Sequence, residues 1–207
     1  MSRRLRYNVA TSLDGFIAPP DGSTDWIAED ANIDFDALYA EFDAFVLGRK
    51  TYEELLRAER NGGWNPLKGK PKHAVHVVSR TLRQEDHPDV TIVNSDVTLH
   101  VCRLLVNSPV EYGSKKKDVW LYGGGELAAV LFDAGLVDSV EVAIMPVLLR
   151  EGAKMMVGGA KMGSAPSWGG SSANRKLVLE GVETLTRSGI VMCRYSVGKG
   201  EYNCLLK

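Results

Sequence analysis

Short apolar runs alternate with segments of helical spacing along almost the whole chain. The stretch 5–13 reads as a first strand. It opens into Asp14-Gly15 and then Pro19-Pro20-Asp21-Gly22-Ser23, a cluster of turn formers that predicts a loop of some length. Over 34–42, Phe35, Leu38, Tyr39 and Phe42 recur at helical spacing, with Asp34 and Asp36 where the positive end of a helix dipole favours them. Phe45-Val46-Leu47 predicts a short buried strand ending at Gly48, and 51–59 predicts a helix. Strands follow at 73–79 and 90–94. Asp96 is placed to cap a helix over 97–107, whose Val97, Val101, Leu104 and Leu105 form one apolar stripe. The strand 119–122 runs into Gly123-Gly124-Gly125, and the helix 126–134 then stops at Gly135. In the strand 140–147, Pro146 implies a sheet edge or a strand end. The stretches 176–183 and 190–197, around Thr186-Arg187-Ser188-Gly189, read as a closing antiparallel hairpin.

Strand–helix alternation implies a mainly parallel central sheet with helices on both faces, and the hairpin adds antiparallel strands at one edge. The expectation is a single three-layer α/β domain over 1–207, with its core at about 5–197 and a Gly/Ser-rich loop at 158–174. No linker or internal repeat divides the pattern.

Composition narrows the partners. Lys+Arg number 25 against Asp+Glu 26, a net charge of -1, without the basic excess of a nucleic-acid or membrane-surface protein. No apolar stretch approaches the ~18 residues of a membrane span, and the basic start runs into Tyr7-Asn8 without the apolar core of a signal peptide. A cytoplasmic protein is expected. Cys102, Cys193 and Cys204 show no C-x-x-C spacing; His73 and His76, three apart in a strand, face opposite sides, and His87 and His100 have no companion at ligand spacing, so no metal site is expected.

Three junctions carry candidate chemistry. In Trp120-Leu121-Tyr122-Gly123-Gly124-Gly125-Glu126 a strand feeds three glycines and a helix, a pattern that lets backbone N–H groups approach an anion or simply forms a tight turn. In Gly48-Arg49-Lys50-Thr51-Tyr52-Glu53, two cations oppose the dipole at a helix start. A bound phosphate would offset that conflict; the bland alternative is a solvated helix start capped by Thr51. Ser79-Arg80-Thr81, at a strand end, offers two hydroxyls and a guanidinium that suit a phosphate monoester or an exposed turn. Ligands of open α/β sheets bind outside the carboxyl ends of the strands, where all three junctions fall.

These junctions, with Ser12-Leu13-Asp14-Gly15-Phe16-Ile17-Ala18 and Asp25-Trp26, resemble the dihydrofolate reductase-like superfamily. More narrowly, they resemble the reductase domain of bacterial riboflavin-biosynthesis deaminase/reductases and its stand-alone relatives. The resemblance implies an oxidoreductase that uses NADPH to reduce a C=N or C=O bond of a small pteridine- or pyrimidine-like substrate, and a homodimer. A phosphoribosylamino-pyrimidine reductase, with Arg150 and Lys154 for the substrate's phosphate, and a non-catalytic nucleotide-binding protein are the alternatives. It further implies that Gly48, Arg49, Lys50 and Thr51 meet the cofactor's phosphates. Ser79, Arg80 and Thr81 would hold its 2′-phosphate. Gly123, Gly124, Gly125 and Glu126 would line the pyrophosphate and nicotinamide ribose, and Ala10 and Ile17 would flank the nicotinamide. Asp14 and Asp25 are the candidate catalytic acids, against roles as a turn residue and as a cap or ion-pair partner. Gly-Arg-Lys-Thr-Tyr-Glu matches the stand-alone branch, and no Pro precedes Trp26 as in folate reductases. Trp64 and Trp168 are read as either substrate lids or dimer contacts, and Met155-Met156 as core or interface filler.

Overall fold

The computed structural model describes residues 3–107, 117–157 and 176–198. The 158–174 segment, with Trp168, and Cys204 lie outside the described residues. Among the described residues, ten strands and four α-helices follow one another as β1 (Leu5–Ser12), β2 (Phe16–Ala18), α1 (Phe35–Ala40), β3 (Phe42–Gly48), α2 (Arg49–Arg60), β4 (Val75–Val78), β5 (Thr91–Val93), α3 (Val97–Val106), β6 (Asp118–Gly123), α4 (Gly125–Asp133), β7 (Val137–Met145), β8 (Ala153–Lys154), β9 (Leu177–Leu185) and β10 (Ile190–Val197). The main sheet has the order β5-β4-β3-β6-β1-β7-β10-β9. Its first six strands are parallel, and β10 runs antiparallel to both β7 and β9. This is the mainly parallel α/β sheet with a terminal hairpin that the alternation predicts.

Side-chain alternation along β3 shows how the layers form. Ala44 and Val46 point to the face covered by α3 and α4, among Val101, Leu127 and Leu131. Phe45 and Leu47 point to the face covered by α1 and α2, among Tyr39, Tyr52 and Trp120. Both faces of the strand are buried, which explains its continuous apolar run.

Three expectations need correction. Phe42 does not end the first helix; it opens β3, pairs with Asp118, and stacks on Trp120 at 4.7 Å. Its burial in the sheet overrides helical spacing. Pro146 marks a strand end, one of its two readings, and not an edge: β7 stops at Met145 and lies between β1 and β10. Thr51 is not a cap, because α2 begins at Arg49 with Gly48 in the N-cap position. His100 does have a companion: its Nε2 lies 3.1 Å from His76 Nδ1 across 24 residues of sequence. Sequence spacing reports neighbours on one element and is blind to a strand–helix pair.

Candidate active site

The chain reverses direction across the sheet between β3 and β6. From β3 it proceeds outward to β4 and β5; from β6 it proceeds the other way, to β7. A crevice opens at such a switch point, at the carboxyl ends of the strands. A second opening adjoins it. β1 pairs with β6 only at Leu5, Arg6 and Tyr7, whereas its ladder with β7 continues to Ser12 and Met145. Above Tyr7 and Leu121 the two parallel strands part, and the Asn8 carbonyl accepts the Trp120 indole N–H at 2.9 Å instead of a ladder bond from β6.

The helices that start at this crevice are capped unlike the others. Asp34 caps α1 by accepting from Ala37 N at 2.8 Å, and Asp96 caps α3 by accepting from Leu99 N at 3.0 Å. At α2 and α4 the N-cap residues are Gly48 and Gly124, and no side chain caps either helix. Their first-turn N–H groups keep the positive end of the dipole open toward the crevice. A Cβ added to Gly124 would meet Thr51 Oγ1 at 3.8 Å and Ile17 Cδ1 at 4.0 Å, and one on Gly48 would meet Gly124 N at 3.7 Å. Gly48, Thr51, Gly124 and Ile17 therefore share one cradle, which any side chain larger than hydrogen at 124 would begin to fill. An anionic dinucleotide fits it: two helix N-termini, backbone amides and one hydroxyl.

The remaining glycines differ. Gly123, joined to Gly124 by a cis peptide, has φ of +125°, where a side chain is strained. At Gly125 a Cβ would collide with the Lys154 carbonyl. That requirement comes from packing against the β8 segment. Glu126 is exposed in the first turn of α4. At β4, buried Ser79 Oγ accepts from Thr81 N at 3.2 Å and Leu82 N at 3.0 Å, which shapes the turn that presents exposed Arg80. Arg80 has no side-chain partner among the described residues, whereas Arg49 pairs with Glu53 at 2.9 Å and Lys50 is exposed. Ala10 packs beside Trp26, Ala28 and Ile33, one strand over from the cradle.

Asp14 is engaged in a clamp. Its carboxylate accepts from Ser12 Oγ at 2.6 Å, Leu149 N at 3.1 Å and Arg150 N at 2.7 Å. These bonds, led by the Ser12 hydroxyl, hold its pKa below the usual carboxylate range. They tie the β1–β2 turn to the loop before β8, and Arg150 takes a φ of 66° there. Asp25 is exposed and has no side-chain hydrogen bond among the described residues. Trp64 covers α1, at 6.1 Å from Phe35 and 5.9 Å from Tyr39. Met155 and Met156 pack against the core under α4, and Met155 O accepts the Tyr7 hydroxyl at 2.7 Å. A separate groove of about 670 Å³ runs between α2 and the 65–72 and 88–90 segments, away from the cradle.

The RibD C-terminal domain model matches residues 3–190. The chain belongs to that family. Among its relatives, the uncharacterized protein YyaP of Bacillus subtilis is 29% identical over 163 residues, covering 75% of this chain and 81% of YyaP. The riboflavin biosynthesis protein RibD of Mycobacterium tuberculosis is 29% identical over 152 residues, 70% of this chain and 42% of that protein. In fold, a Shewanella protein assigned to riboflavin biosynthesis superposes with a TM-score of 0.67 at 22% identity, covering 95% of this chain and 99% of the other. A Thermotoga maritima deaminase/5-amino-6-(5-phosphoribosylamino)uracil reductase gives 0.61 at 19%, covering 95% and 57%. The dihydrofolate reductase of Enterococcus faecalis, complexed with NADP(H), gives 0.58 at 12%, covering 96% and 99%. The fold thus has the dihydrofolate reductase-like form, and the relatives of the RibD C-terminal domain family include reductases. No helix among the described residues is long and apolar enough to cross a membrane.

Proposed function

We propose that this protein is an NADPH-dependent reductase acting on a C=N or C=O bond of a small heterocycle of the pyrimidine or pteridine kind. The observation that carries the reading is the Gly48–Thr51–Gly124–Ile17 cradle between two helix N-termini without side-chain caps. Gly48, Arg49, Lys50 and Thr51 hold phosphate oxygens at the start of α2. Gly123, Gly124, Gly125 and Glu126 line the pyrophosphate and nicotinamide ribose. Ile17 and Ala10 flank the nicotinamide, where β1 and β6 part. The bound dinucleotide supplies the hydride, and the chain binds, orients and excludes water.

Asp14, its oxygens occupied and its ionised form favoured, positions the β1–β2 turn and is a poor proton donor. Asp25, in the turn before Trp26, orients substrate at the rim. The uracil reductase among the structural neighbours supports a pyrimidine-type substrate. Exposed Arg150 and Lys154 flank the turn that Asp14 holds, Arg150 through its backbone N–H and Lys154 through its pairing with Phe16, and they suit a substrate phosphate. A homodimer in the cytoplasm completes the reading. Its contact surface is β9, the edge strand, where Leu177, Val178, Leu179 and Val182 are exposed.

Arg80 gives the direct test. Its guanidinium, without a side-chain partner among the described residues, meets the 2′-phosphate, which NADH lacks, by a charge-assisted bond. In Arg80→Ala, NADPH affinity should fall at least about tenfold while NADH affinity stays unchanged. Titration of both cofactors against both proteins reads the difference; equal weakening overturns the assignment. Oxidation of NADPH by the wild type with 5-amino-6-(5-phosphoribosylamino)uracil and with dihydropteridines then tests the substrate class.

A further inference from the structure

On the face covered by α1 and α2, Tyr39 Oη of α1 and Tyr122 Oη of β6 lie 3.0 Å apart. Tyr122 immediately precedes Gly123 and the cradle glycine Gly124. Ring packing explains why both residues are aromatic. The Tyr39 ring lies 4.8 Å from Trp120, 5.9 Å from Phe45 and 5.9 Å from Trp64, with Lys70 Nζ 5.6 Å from its centre. The Tyr122 ring lies 5.2 Å from Trp120. Packing does not explain the hydroxyls, since phenylalanine would fill the same space.

Either hydroxyl can donate in the bond between them, and whichever accepts keeps its own O–H. Neither has a second hydrogen-bond partner among the described residues. The pair therefore carries one donor to spare, half-buried, beside the place where β6 turns into the cradle. Burial raises the pKa of both phenols. They stay protonated at every ordinary pH, as a donor must.

We infer that the spare O–H, on Tyr122, donates a hydrogen bond to a carbonyl oxygen or ring nitrogen of a pyrimidinone-type substrate, with Tyr39 as the residue that positions it. This deepens the reductase reading and rests on it. Tyr39 is held by rings on several sides and fixes the rotor of its partner; Tyr122 sits one residue from Gly123 and makes the contact. A neutral pair also selects an acceptor-bearing heterocycle over an isostere without the acceptor, because the buried hydroxyl is then left unpaired.

The experiment measures equilibrium binding of 5,6-diaminouracil by tryptophan fluorescence, with NADPH affinity and thermal midpoint in parallel. Wild type, Tyr39→Phe, Tyr122→Phe and the double variant are compared. Tyr122→Phe should weaken the probe about tenfold and Tyr39→Phe about threefold, and the double variant should match Tyr122→Phe alone. NADPH affinity should be unchanged throughout, which a merely structural role would not give. Probe affinity in Tyr122→Phe within about twofold of wild type overturns the inference. So does a wild type that binds NADPH but not the probe, and in that case the cofactor reading survives. A wild type that binds neither overturns the reductase reading itself.

Discussion

The two ends of the central sheet handle charge in opposite ways. At the amino ends of the strands, buried Arg6 meets Glu141 through Nε and Nη2, both at 2.7 Å, reaches Glu41 with Nη1, and lies 3.5 Å from Asp118. Buried Arg3 donates to the carbonyls of Leu104 at 2.7 Å, Asn107 at 3.1 Å and Lys117 at 3.0 Å, and pairs with Asp43. Arg4 binds Asp118, and Asp138 accepts the Leu5 N–H. At the carboxyl ends, two helices have no side-chain cap, Arg80 has no side-chain partner among the described residues, and a phenol pair has a donor to spare. An end whose donors are matched by acceptors fastens the chain. An end with donors left over is where an anionic ligand gains most, because no internal bond must break to admit it.

If that division is right, the largest effect of a single substitution on stability lies far from the ligand. Burial works against both charges of the Arg6–Glu141 pair, but their hydrogen bonds overcome it, raising the Arg6 pKa and lowering that of Glu141. Arg6→Ala leaves a buried carboxylate without its main partner and should cost about 3–5 kcal/mol. Arg6→Met with Glu141→Leu, which removes both charges, should recover most of it. Urea denaturation midpoints measure both effects. A cost below about 1 kcal/mol for Arg6→Ala would dissolve the contrast between the two ends.

The next effect is a matter of pH. His76, in β4, is buried against His100, and desolvation followed by the neighbouring His100 lowers its pKa to about 4. A hydrogen bond to the His73 backbone favours a charge on His76, but Arg3 and the His73 side chain also oppose it, and Arg103 opposes one on His100. The unfolded chain takes up a proton near pH 6.5 that the folded chain refuses. Stability from this source is therefore complete above about pH 6.5 and drains away as pH falls toward about 4, by roughly 3 kcal/mol in all. The Glu141 contribution is lost lower, as pH falls below the ordinary glutamate range. His76→Gln keeps a polar partner for His100 without titrating in this window, and should flatten the profile of denaturation midpoint against pH between 4 and 6.5. A profile equally steep in the variant would assign the slope to other groups.

The sequence made one end of the sheet more legible than the other, for a physical reason. Gly48-Arg49-Lys50-Thr51 and Gly123-Gly124-Gly125 are local junctions, and a strand–glycine–helix turn shows itself within a few residues. The mainly parallel sheet, the hairpin and the Asp96 cap are readable for the same reason. Contacts between distant segments left no local trace. Tyr39 reads as one member of an apolar stripe and Tyr122 as a strand end, and nothing within either segment announces a bond across 83 residues. The His76–His100 pair and the Arg6–Glu141 pair are hidden in the same way. β2 and β8, of three and two residues, are too short for any period to appear, yet β2 carries Ile17 to Gly124. Phe42 misled because no glycine or proline separates it from α1.

Asp14 stands on the boundary between these two kinds of residue and gives the smallest and most discriminating test. It lies at the ligand end, yet its oxygens are as fully occupied as those at the opposite end: Ser12 Oγ, Leu149 N and Arg150 N all donate to it. Asn at this position keeps one acceptor oxygen but replaces the other with an N–H₂ that cannot accept from a backbone N–H. In Asp14→Asn the loop before β8 should loosen, and with it β2, which pairs with β8 at Phe16 and Lys154 and carries Ile17. The expected result is a rise of about two- to fivefold in the NADPH dissociation constant. Amide exchange at Leu149 and Arg150 should be faster, and the dependence of kcat on pH should keep the wild-type shape. A catalytic acid would behave otherwise: its removal lowers kcat by at least about a hundredfold and takes one limb off the pH profile. Observing that loss would return Asp14 to the chemistry, and would mean that a carboxylate held by three donors can still give up its place in the clamp when substrate arrives.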